Sequence, residues 1–295
     1  MCEIETGVQV LQRISSGLSP FVGCLEPVLF PDGGPSKGEL VEITGETNSG
    51  KSCLILELIA KIILPKNCGG QAVGAVFINC DNNINMARLL NIMEKHIVNC
   101  STPANQNTDR REIQRIREES FSRLTIITCY TLDEFELSML TLSDLFVKNP
   151  HNVFLLIDSI VAFYWSRCTE KNLIRMDTYL KLLHNKLKKM CRENKVVIIY
   201  TKPSYFGAGR KQKAGESDAA EQSSLGGLYP SSSGCGSGSG GINLPVEHRL
   251  ELTEAVGQTP SNDTKFTALV NSKNKQFTRY FLIDRYGINW LNERV

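Results

Sequence analysis

The sequence predicts an α/β protein: a doubly wound, mostly parallel sheet with an antiparallel extension at its C-terminal end. Three observations carry this. Strand-like segments that are apolar along their whole length alternate with segments of helical period, the pattern of a parallel sheet covered on both faces. Gly45-Glu46-Thr47-Asn48-Ser49-Gly50-Lys51-Ser52 fits G-x-x-x-x-G-K-[ST] and falls between a strand and a helix. Leu155-Leu156-Ile157-Asp158 ends a third apolar strand on a carboxylate.

The glycine-rich stretch needs those residue types in that order. Gly45 and Gly50 allow a tight turn with no Cβ between backbone and phosphate. Successive N–H groups and the N-terminus of the next helix form a positively polarised nest for an anion. Lys51 adds a point charge for β- and γ-phosphates, and Ser52 offers a hydroxyl ligand to Mg²⁺. Asp158 stands where a carboxylate orients water on that ion, opposite Ser52. The expected cofactors are therefore ATP and Mg²⁺, with residues 45–52 holding the nucleotide.

The chain has 295 residues, 41% of them hydrophobic and 22% charged, ordinary values for a globular protein. A net charge of +2 gives no global pull towards nucleic acid, so DNA contact requires a local patch. Ten cysteines lack the C-x-x-C spacing of zinc sites and read as reduced, mostly buried thiols of a cytosolic or nuclear protein. His96, His151, His184 and His248 are scattered without metal spacing and read as structural or exposed. The N-terminus lacks the basic and apolar regions of a signal peptide, and the most apolar window, Leu54 to Leu64, is too short to span a bilayer.

Residues 1–37 form a short N-terminal segment in which Val8, Leu11 and Ile14 sit at helical spacing. Residues 38–295 form one domain. Glu39 to Thr44 alternates as a strand, and Lys51 to Leu64 is a helix stopped by Pro65. Val73 to Ile78 is a buried strand, Ile84 to Val98 an amphipathic helix, and Asp109 to Glu119 a charged helix with a solvated face. Strand Leu124 to Cys129, helix Leu132 to Lys148, strand Val153 to Ile157, helix Asn172 to Arg192 and strand Val196 to Tyr200 follow. Right-handed crossovers place the glycine-rich loop at the carboxyl edge of the sheet. From 207 to 241 the chain becomes Gly/Ser-rich and cannot bury a core, a flexible insertion spanning on the order of 30 Å. Segments 248–252, 266–270 and 279–283 read as three antiparallel strands extending the same sheet.

The loop after a short N-terminal segment, the run Asp158-Ser159-Ile160-Val161-Ala162-Phe163-Tyr164, and a long loop after Tyr200 resemble the RecA-type recombinases, over roughly residues 38–202. The resemblance implies a RecA-like fold and a paralogue of homologous recombination. In that family the second strand ends in a glutamate that polarises the attacking water; the matching residue is Asp81, one methylene shorter and so a weak candidate base. Where the family carries a γ-phosphate-sensing glutamine, this chain has Lys202, which contacts the γ-phosphate, contacts DNA, or is solvated. Arg167, Lys171 and Arg175 would face DNA if the topology holds, while Arg210-Lys211-Gln212-Lys213 is either a DNA contact or a solvated run. Phe163-Tyr164-Trp165 is either a base-stacking platform or a packing cluster.

The leading expectation is an ATP-binding accessory subunit of nuclear double-strand-break repair. It would act with other recombinase paralogues, reach DNA through that complex, and be a weak DNA-dependent ATPase at most. The alternative is a self-sufficient DNA-dependent ATPase with strand exchange, against which stand the missing N-terminal DNA-binding domain, Asp81 and Lys202. A P-loop kinase or transporter ATPase is the third reading; no arginine-rich lid or transporter signature supports it.

Overall fold

The structure, a computed structural model, describes residues 25–291 except 83, 101–109, 171–174, 205–243, 259–263 and 274. The stripe at Val8, Leu11 and Ile14, the Gly/Ser tract, Lys171 and Arg210 to Lys213 lie outside those residues.

Among the described residues nine strands form one sheet in the order β3-β2-β4-β5-β1-β6-β7-β8-β9. They are β1 Leu40–Gly45, β2 Gly74–Asn79, β3 Leu124–Thr128, β4 Asn152–Asp158, β5 Val197–Pro203, β6 His248–Gln258, β7 Thr264–Ser272, β8 Lys275–Asp284 and β9 Gly287–Leu291. The helices are α1 Lys51–Ile63, α2 Met86–Cys100, α3 Arg110–Phe121, α4 Leu132–Lys148, α5 Tyr164–Glu170 and α6 Met176–Asn194. Strands β1 to β6 are mutually parallel where they pair, and β6 to β9 are antiparallel.

The two faces follow from the period of two along each strand. Val41, Ile43, Phe77, Leu156 and Ile199 meet α1, α2 and α3 on one side. Leu40, Ile78, Ile157, Ile198 and Tyr200 meet α4 and α6 on the other. Ten residues of α1 are buried, so this helix is covered nearly all round and its direction is fixed by the sheet. Truncating one of its fully buried leucines, such as Leu58→Ala, costs about 2–5 kcal/mol. Thr131 caps α4, its hydroxyl accepting from the Glu134 N–H while the Glu134 carboxylate accepts in return, a capping box.

All six residues of β1 are buried, polar ones included, because it lies inside the sheet with clusters packed on both faces. Two expectations change. Strand β3 is not covered on both faces but forms the half-exposed edge of the sheet. The C-terminal extension begins with a strand parallel to β1 and has one more strand, β9, than expected. Cys53, Cys68, Cys80, Cys129 and Cys191 are buried free thiols, whereas Cys100 is exposed. Among the described residues no helix is long and apolar enough to cross a membrane.

His184 and His248 link this packing to pH. Both are buried; His184 has no hydrogen-bond partner at either ring nitrogen, and His248 lies between Ser272 and Glu39. Burial pushes both imidazoles below their ordinary range, with Lys188 and Lys273 acting in the same direction on His184 and His248 respectively. The unfolded chain therefore binds protons first on acidification. Their contribution is complete above about pH 6.5 and is lost as pH falls below it. The melting temperature is expected to fall between pH 7.5 and 5.5, and less steeply in His184→Phe; an equal slope in that variant would remove His184 from the account.

Candidate functional site

The loop after β1 is built for close approach. A Cβ on Gly45 would stand 2.5 Å from the Leu252 carbonyl oxygen on β6, and it would also strike the Ser49 hydroxyl. Gly50 caps α1 at φ +91, where a Cβ would meet Ile283 Cδ1 at 2.6 Å. These are the two positions at which the loop admits only glycine. Glu46, Thr47 and Asn48 are exposed on the crest, Ser49 is buried, and Ser52 faces solvent from the first turn of α1. Lys51 crosses back over the loop, its Nζ donating to the Gly45 carbonyl at 3.0 Å and the Glu46 carbonyl at 2.5 Å.

Two carboxylates complete the edge. Asp158 ends β4, is buried, and accepts a hydrogen bond from the Thr201 hydroxyl of β5. Its carbonyl takes the N–H groups of Cys80 at 2.7 Å and Asp81 at 3.2 Å, which ties the end of β2 to β4. The Asp158–Ser159 peptide bond is cis. Partial burial raises the Asp81 carboxyl above its ordinary range; the like charge of Asp158 adds to this and Lys51 opposes it. Burial lowers the Lys51 ammonium, and Asp158 and Asp81 hold it up. Lys51, Asp81 and Asp158 thus form one electrostatic group, as the sequence places them.

Lys202 does not join that group. Counting along β5, Thr201 shares the α1 face with Ile199, while Lys202 shares the α4/α6 face with Tyr200. Its Nζ lies 3.1 Å from Glu42 Oε2 with the side chain 6% exposed, so the solvated reading is excluded and the residue is not presented to the loop. Glu42 in turn accepts from Tyr200 at 3.0 Å and from Arg249 Nε at 2.7 Å. The register explains the cluster: Glu42 pairs with Tyr200 on one side and Arg249 on the other. Thr201, not singled out from the sequence, is the β5 residue that reaches the site.

Other expectations separate in the same way. Phe163 and Tyr164 are buried and pack against Phe135 and Tyr179, whereas Trp165 is exposed. Arg167 is bound to Glu136 and stacks its guanidinium towards Tyr179, while Arg175 is exposed at the start of α6. His96 bonds to the buried Glu57 at 2.5 Å and is structural. Beside the loop, a cleft of about 470 Å³ runs from Gly50 and Lys51 to Arg88, Thr264, Phe266 and Ile283. Its far wall comes from β7 and β8, which periodicity alone did not bring to this site.

A glycine loop, a strand-end acid and a central parallel sheet with antiparallel C-terminal strands define a P-loop fold of the RecA type. The Rad51 family model matches residues 22–227, and the chain belongs to that family. It is 25% identical over 218 residues to DNA repair protein XRCC2 of Mus musculus, covering 73% of each chain. It is 38% identical over 60 residues to DNA repair protein rhp57 of Schizosaccharomyces pombe, covering 20% of this chain and 17% of that one. The chain is a RecA-type recombinase paralogue similar to XRCC2.

Proposed function

We propose that this chain is an ATP-binding accessory subunit of homologous-recombination repair in the nucleus. It works with other recombinase paralogues to help the main recombinase assemble on DNA, which it reaches through the complex. The observation that carries the nucleotide reading is the convergence of the loop, Lys51, Ser52 and Asp158 at one end of the sheet. Two details fit a phosphate there. The loop has no room for a Cβ at Gly45 or Gly50, and the buried Ser49 hydroxyl has no hydrogen-bond partner. Residues 45–52 would hold the phosphates, Ser52 and Asp158 would hold Mg²⁺, and the cleft at Arg88 and Phe266 would take the nucleoside. A bound Mg²⁺ would neutralise phosphate charge.

Calorimetry tests this. ATP–Mg²⁺ is expected to release heat on binding wild-type protein, and Lys51→Ala is expected to weaken binding about tenfold or more, the scale of one lost charge-assisted contact. A folded wild type with no heat at millimolar nucleotide would remove the reading.

The partner half of the proposal is supported by the uncovered side of the sheet. The edge strand β3 leaves one row of backbone groups unpaired by the sheet, and Ile126, Tyr130, Leu137, Leu140 and Val147 are exposed on β3, the following turn and α4. Leu137→Asp with Leu140→Asp should leave the melting temperature within a few degrees and reduce affinity for a purified paralogue about tenfold or more. Unchanged affinity would move the interface elsewhere.

A further inference from the structure

Cys80 and Cys129 are separated by two helices and a strand in the chain and brought together by the sheet. Cys80 follows β2 and Cys129 follows β3, just beyond the paired residues Asn79 and Thr128. The ladder continues to them, since the Cys129 N–H donates to the Asn79 carbonyl at 3.0 Å. Cys80 and Cys129 belong to the same buried cluster, on the α4/α6 face of the sheet. Adjacent strands lie about 4.7–4.9 Å apart, inside the roughly 4.4–6.8 Å between Cα atoms that a disulfide requires. The pair adjoins the nucleotide site, since the Cys80 N–H donates to the Asp158 carbonyl, but neither thiol has a role in it.

We propose that Cys80 and Cys129 are an oxidant-reactive pair that closes to an intramolecular disulfide when the protein meets hydrogen peroxide.

The chemistry is assigned by the surroundings. Cys129 is the attacking sulfur, because the Ser138 hydroxyl lies 3.5 Å from it, where it can donate to a thiolate. Hydrogen bonding brings the Cys129 thiol down to about 7 against the effect of burial. The Cys129 thiolate attacks one peroxide oxygen. The O–O bond breaks, and the departing oxygen takes a proton and leaves as water, giving a sulfenic acid on Cys129. The Cys80 sulfur then attacks the Cys129 sulfur, the S–S bond forms and the S–O bond breaks. The Cys80 proton goes to the departing oxygen, which leaves as the second water. Two thiols are oxidised by two electrons and one peroxide is reduced.

Access selects the oxidant. Cys129 is 0% and Cys80 5% exposed, so the pair is closed to bulky reagents. Hydrogen peroxide is small enough to reach it; a tripeptide disulfide is not.

The test is a peptide map of the folded full-length chain. The protein is exposed to hydrogen peroxide, unfolded in denaturant with N-ethylmaleimide to block the remaining thiols, and digested without reductant. The expected product joins the Cys80 and Cys129 peptides, is lighter by two hydrogens than their sum, and disappears with dithiothreitol. Cys80→Ser and Cys129→Ser should each abolish it. Recovery of both residues as maleimide adducts, under conditions that oxidise the exposed Cys100, would overturn the proposal. The same result follows if Cys129 passes to sulfinic acid with no link. The map of unmutated protein decides even if a serine variant fails to fold. In parallel, oxidised glutathione is expected to give at least tenfold less link in the same time; an equal yield would overturn the assignment of a small oxidant.

Discussion

Glu42→Leu is expected to destabilise the protein by about 3–5 kcal/mol, the scale for removing one partner from a buried ion-pair cluster. Glu42 is 1% exposed and is the shared acceptor for Arg249, Lys202 and the Tyr200 hydroxyl. Without it Lys202 and Arg249 lose the anion they share, and a buried phenol loses its acceptor. Against a total stability of about 5–15 kcal/mol, a single residue would then carry a large share. Urea unfolding measures this: the midpoint should drop while the slope is unchanged. Replacing the charged set together, as Glu42→Leu with Lys202→Met and Arg249→Met, should recover most of the loss, because the penalty lies in the unpaired charges rather than in the missing pair. A single variant within about 1 kcal/mol of wild type would mean that water reaches the cluster.

That cluster also shows where the sequence was legible and where it was not. Residues 45–52 and Asp158 could be read because backbone chemistry at a phosphate fixes both residue type and spacing, helices α4 and α6 announced themselves by period, and α1 by its stop at Pro65. Glu42 was hidden because alternation in β1 gives the strand but not what its polar side meets. Its partners Tyr200 and Arg249 come from β5 and β6, whose placement beside β1 is tertiary information. Lys202 was more accessible than it seemed: two-residue periodicity from Val197 puts it with Tyr200 and away from Thr201. Strand β9 is five residues long and begins at Gly287, whose φ of +104 serves the turn, so it offered little pattern to detect. The parallel entry of β6 beside β1 follows a long low-complexity connection, and such a connection specifies no direction.

The relation between Asp81 and Lys202 sets the expectation for turnover. Hydrolysis requires a water held in line with the γ-phosphate and donors that meet charge as it develops. Asp81 lies in the electrostatic group with Lys51 and Asp158, but its carboxyl is one methylene shorter than the family's glutamate, and a misplacement near 1 Å costs about a hundredfold in rate. Its raised pKa also leaves it more readily protonated than an ordinary aspartate, which weakens it as a base on acidification. We therefore predict that isolated wild-type protein hydrolyses ATP slowly, with little stimulation by single-stranded DNA. Asp81→Glu alone should raise the rate about ten- to a hundredfold, because it restores reach without touching the fold. Lys202→Gln should not help: it takes a buried ammonium from Glu42 and is expected to lower stability without raising turnover. Steady-state phosphate release from purified monomer separates these outcomes. Strong DNA stimulation of the wild type, or a faster Lys202→Gln with an unchanged Asp81→Glu, would show that the rate is set at β5 and not at the end of β2.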